Sequence, residues 1–65
     1  MYQIKRMDEL KEISEILDLS LKEAAHEAIY NFYESAGVPE EVFTTELDSL
    51  TEDELYEVFD DIFSY

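Results

Sequence analysis

The chain has 65 residues, no cysteine, 18 acidic residues against four basic ones, and a formal net charge of −14 at pH 7. That length is one small domain with a thin core, and without cysteine neither a disulfide nor a thiolate metal site can staple it. An apolar fraction of 46% argues against disorder, no apolar run approaches the roughly 18–20 residues of a membrane span, and the start MYQIKRMDEL lacks a signal-peptide core, so a cytoplasmic protein is expected.

Tyr2 to Arg6 alternates polar and apolar residues over a span that suits an edge strand or an ordered tail. Asp8 to Leu17, DELKEISEIL, predicts a first helix. Asp8 is a candidate N-cap, Leu10, Ile13 and Leu17 share one face, and Asp18-Leu19 ends it. Ser20 to Ala36 predicts a second helix. Ser20 and Glu23 have the spacing of a capping box, and Leu21, Ala25, Ala28, Ile29, Phe32 and Ala36 form one apolar stripe. Gly37 sits where a left-handed residue belongs, and Pro39 follows two residues later.

Residues 38–50 predict no more than a helical turn near 39–43, opened by Pro39 with Val42 and Phe43 turned inward. The Thr44-Thr45 pair and the Ser49 region favour a loop. Thr51 to Phe63 predicts the closing helix. Thr51 and Glu54 make a second capping box, Leu50 can staple onto Leu55, and Leu55, Val58, Phe59, Ile62 and Phe63 line one face. The expected fold is all-α: a single-domain, small three-helix bundle with helices at about 8–17, 20–36 and 51–63.

The charge is uneven. Residues 1–22 hold all four cations (Lys5, Arg6, Lys11, Lys22) against five acids, whereas residues 23–65 hold thirteen acids and no cation. Nucleic acid and anionic membrane surfaces repel such a half, and a basic protein surface attracts it. Helical spacing puts Asp53, Glu57, Asp60 and Asp61 opposite the apolar stripe of the last helix, and Glu23, Glu27 and Glu34 opposite that of the second. Neighbours at i+3 or i+4 stand about 5–6 Å apart, a spacing comparable to that of phosphates along a DNA strand. Solubility alone requires a net charge of only about 2–8, and an ordinary solvated face mixes Glu with Lys at i+4. Asp60 and Asp61, moreover, fall in a last turn where the helix dipole disfavours anions.

Nine of the 65 residues are Phe or Tyr. Phe32, Phe59 and Phe63 read as core. Tyr30, Tyr33, Tyr56 and Tyr65 lie off or at the edge of the stripes, as core-rim residues or interface anchors, with Tyr30 and Tyr56 the preferred candidates for partner contact. His26, the single histidine, follows Glu23 at di-iron-like spacing, but no second such motif exists, so a rim histidine is expected. Asp48 to Asp53 lacks the turn glycine of a calcium loop. With no phosphate loop and no nucleophile beside a base, no enzyme, cofactor or metal site is expected.

Residues 10–36, LKEISEILDLSLKEAAHEAIYNFYESA, resemble the two helices of a ribbon-helix-helix protein, with Tyr2–Arg6 as the ribbon. That resemblance implies a dimeric DNA-binding regulator, or an antitoxin with an acidic toxin-binding C-terminal helix, reading DNA through Gln3 and Lys5. The positions where that family meets phosphate are acidic here except Lys22. In charge pattern, though not in any motif, the chain is also similar to phage-encoded inhibitors that mimic DNA.

The leading expectation is therefore a non-enzymatic acidic inhibitor, monomer or homodimer, that occupies the basic nucleic-acid-binding surface of a nuclease, CRISPR effector or similar protein. Its contacts would be Asp53, Glu57, Asp60, Asp61, Glu23, Glu27, Glu34, Tyr30 and Tyr56. It would contact neither nucleic acid nor membrane. A helical subunit whose apolar face completes a larger assembly is the blander alternative.

Overall fold

The computed structural model describes residues 2–64, and its secondary structure among them is helical. Four helices follow one another: α1 (Met7–Leu17), α2 (Leu21–Ser35), α3 (Glu40–Ser49) and α4 (Glu52–Phe63). The all-α small bundle is the one that periodicity predicts. It has one helix more, because residues 40–49 form α3 where only a turn near 39–43 was expected.

The helix α2 is the hub, and α1, α3 and α4 each pack against it. Ala24, Ala25 and Ala28 are buried on its inner side, and their short side chains let the neighbours approach closely. Leu10 of α1, Ile29 of α2, and Leu55 and Phe59 of α4 are the largest fully buried side chains. Each contributes roughly 1.5–3 kcal/mol through removal from water. Phe43 and Leu47 dock α3 onto this core.

The caps explain where the helices stop. Asp18 takes the left-handed conformation at φ 56°, and the N–H groups of Asp18 and Leu19 reach back to the carbonyls of Glu15 and Ser14. Gly37 does the same at φ 84°, with Gly37 N–H on Glu34 and Val38 N–H on Tyr33. Both are Schellman turns. Thr51 and Glu54 form the complete reciprocal box that opens α4, and Leu50 packs against the core just ahead of it. At α2 the box is half made. Ser20 Oγ accepts from the Glu23 N–H, but the Glu23 carboxylate takes the Ser20 hydroxyl instead of a backbone group.

Several expectations are corrected. Asp8 lies inside the first turn of α1; Arg6 is the capping residue and makes no side-chain cap bond. Leu17 and Phe32 are each 45% exposed and Ala36 is exposed, because the stripes run past the edge of a core this small. Val42 is 62% exposed, so only Phe43 of that pair turns inward. Tyr2–Arg6 forms no strand. It is an irregular segment with a turn at Lys5-Arg6, and Tyr2 and Ile4 lie against the core. Tyr65 lies outside the described residues.

Candidate functional site

Sixteen of the eighteen carboxylates are exposed. Glu9 is half-buried beside the Arg6 guanidinium, which donates to it at 2.7 Å. Asp60 is buried. The cations do little to neutralise the rest. Among the described residues the Lys/Arg ion pair is Arg6–Glu9, His26 contacts Asp48, and Lys5, Lys11 and Lys22 are exposed.

On α4 the exposed acids line up as Asp53, Glu57 and Asp61, at i, i+4 and i+8, with Glu54 beside them. Successive members stand one turn apart, roughly 6 Å along the axis. On α2, Glu23, Glu27 and Glu34 are exposed along the side away from its buried alanines. These six residues lie where the sequence puts them. Like charges at i+4 oppose helix formation by a few tenths of a kcal/mol per pair, so the α4 row is held against its own repulsion by the core stripe and the capping box beneath it.

Asp60 is the exception. Its side chain turns under the N-terminal segment and is 2% exposed. One oxygen accepts from the Tyr2 hydroxyl at 2.7 Å and the Lys5 N–H at 2.7 Å, and the other accepts from the Arg6 N–H at 3.0 Å. The residue expected on the outer acidic face is therefore an internal clamp. It joins the end of α4 to the start of α1, where the positive end of the α1 dipole also favours an anion. This is the physical reason for an acid in the last turn of α4. Burial pushes its pKa up, but the Lys5 N–H, the Tyr2 hydroxyl, the Arg6 N–H and the Lys5 charge outweigh that and hold it below the usual carboxylate range. Tyr2 responds in the opposite sense. Hydrogen bonding to Asp60, with some burial and the nearby charges of Asp60, Glu57 and Asp61, raises its phenol to about 12. The sequence carries a faint sign of this clamp: a carboxylate in an unfavourable last turn and an unassigned Tyr2, 58 positions apart.

The tyrosines divide. Tyr56, expected at the edge of its stripe, is buried in the core, and its hydroxyl donates to Glu52 at 3.3 Å. Burial first, then the Glu52 charge, raises its pKa. Tyr56 therefore has little ring surface for a partner. Tyr30 stays half-buried at the rim, its ring edge-on to Phe43 at 5.2 Å, and Tyr33 lies tilted against Phe43 at 5.4 Å. Both hold α3 in place. Phe32 meets Tyr33 at 5.8 Å with its outer side in solvent.

His26 Nε2 lies 3.2 Å from Asp48, tying α2 to α3. Among the described residues no group of three His, Asp or Glu side chains is placed to hold a metal ion, and no helix is long and apolar enough to cross a membrane. Among the described residues, the surface grooves include one at each of three places. One of about 160 Å³ lies between α2, α3 and α4 around Val42 and Glu46. One of about 450 Å³ lies between the N-terminal segment and the starts of α2 and α4. One of about 360 Å³ is lined by Leu17, Phe32 and Phe63 and has no charged residue in its lining. Comparison of the chain with protein-family models, curated proteins and solved structures finds no match.

Proposed function

We propose that this protein is a non-enzymatic inhibitor that binds the basic nucleic-acid-binding surface of another protein, such as a nuclease or CRISPR effector, in place of nucleic acid. The observation that carries this reading is the row Asp53, Glu57 and Asp61. It is exposed on a capped helix whose other side is locked into the core, and no cation is interleaved with it. A rigid helix presents anions at fixed spacing, so the Lys and Arg of a partner meet carboxylates where they otherwise meet phosphates. Glu23, Glu27 and Glu34 supply a second exposed row on α2. Asp60 leaves the contact set because its oxygens are occupied inside the fold. The charge steers association, which makes it fast and salt-sensitive.

The regulator reading has less in its favour. The Lys5 N–H that an intermolecular ribbon would use for strand pairing is bonded to Asp60, and the exposed carboxylates oppose contact with phosphate over most of the surface. The test is charge reversal. The E57K/D61K variant keeps the helical CD spectrum and loses the capture of DNA-binding proteins from bacterial lysate. Unchanged capture by this folded variant would contradict the proposal.

A further inference from the structure

The groove of about 450 Å³ beside the α4 row joins two chemistries in one place. Its floor is apolar: Ile4 from the N-terminal segment, Met7 at the start of α1, Leu21 at the start of α2, and the edge of Tyr56. Ile4, Met7 and Leu21 are all half-buried, so each keeps surface open to a ligand. The rim on the α4 side is Glu52 and Asp53, both exposed, and no cation lines the groove. The volume lies within the ~300–1,000 Å³ typical of ligand sites. The Asp60 clamp fixes the wall, since it holds Tyr2 and the Lys5 and Arg6 backbone against α4.

An apolar floor with an anionic rim complements an apolar stem that ends in a cation. We infer that this groove takes an arginine side chain of the partner, its methylene stem over Ile4, Met7 and Leu21 and its guanidinium on the Glu52 and Asp53 carboxylates. Arginine fits better than lysine for two reasons. Its planar fork can bond two carboxylates at once, and it is the more weakly hydrated cation, so less is lost when its head comes down beside apolar surface. Aliphatic stems of long cations regularly cover apolar surface in this way. The assignment rests on the basic-partner reading and sharpens it. The groove adds residue-type selectivity at one end of a row that by itself reads only charge.

The experiment is an NMR titration of the full chain with nona-arginine and with nona-lysine, following the methyl groups of Ile4, Met7 and Leu21 and the Tyr56 ring. Nona-arginine should bind about 5–10-fold more tightly than nona-lysine and should shift the groove methyls. Two variants of equal charge change separate the groove, which shares Asp53 with the row, from Glu57 and Asp61 beyond it. E52Q/D53N should bring the two peptides to equal affinity, whereas E57Q/D61N should weaken both and keep the preference for arginine. Equal affinities in the wild-type protein, or groove methyls that do not move on saturation, overturn the assignment without any variant having to fold. If both peptides still bind in a salt-sensitive way, the basic-partner reading survives that loss. If neither binds at low salt, both readings fall.

Discussion

At the scale of single residues, Asp60 ties the N-terminal segment to the end of α4. Its carboxylate satisfies two backbone N–H groups and a phenol that are otherwise left partly buried without acceptors. Asp60→Ala should lower stability by about 2–4 kcal/mol, measured by urea unfolding at pH 7. The pH dependence follows from the direction of the shift. The folded pKa lies below the unfolded value of about 3.9, so the contribution is complete above that value and is lost as pH falls through the lower folded one. The gap between wild type and Asp60→Ala should hold constant from pH 7 to about 4 and close below. Tyr2 has the opposite sign. Its phenol is raised to about 12, so its contribution persists below the unfolded value of about 10 and disappears as pH approaches 12. Absorbance titration at alkaline pH should show a late-ionising phenol that Tyr2→Phe removes.

At the scale of elements, the α4 row exchanges stability for exposure of charge. Glu57 stands between Asp53 and Asp61 and repels both at i±4. Glu57→Lys turns two repulsive pairs into attractive ones and should raise stability by about 0.5–1 kcal/mol, seen as a higher midpoint in thermal CD, while it weakens partner capture. A variant that becomes more stable and less able to bind separates function from folding. The other elements show what the chain states openly. The ends of α2 and α4 are legible because Ser20, Gly37 and Thr51 act through local geometry, and the stripe of α4 is legible because its five apolar positions recur at helical spacing. The helix α3 is hidden because it buries only Phe43 and Leu47, too few for a periodic signal, and its β-branched Thr44-Thr45 pair favours other conformations. Its helicity is imposed by docking on Tyr30 and Tyr33, which contact Phe43. Phe43→Ala should therefore cost about 3–5 kcal/mol and should lower hydrogen-exchange protection in residues 40–49 before the rest of the bundle.

At the scale of the whole molecule, a net charge of −14 on 65 residues sets both stability and association. The charge repels itself, so added salt should raise the melting temperature. The same salt should weaken binding to a basic partner of the kind proposed. Most of the acidic surface was legible in the sequence, since Asp53, Glu57, Asp61, Glu23, Glu27 and Glu34 are all exposed as helical spacing predicts. Asp60 and Tyr56 were not legible. Each sits beside the apolar stripe, and only the packing of Tyr2–Arg6 and of the helix starts decides that both turn inward.

The inhibitor proposed above would occupy the nucleic-acid-binding surface of another protein. The most direct measurement immobilises the wild-type chain, passes bacterial lysate over it, and elutes with duplex DNA at constant ionic strength. DNA-binding proteins should be retained, duplex DNA should release them, and the chain itself should shift no DNA in a gel even at low salt. Retained proteins that duplex DNA does not displace, or a direct complex between the chain and DNA, would contradict the proposal.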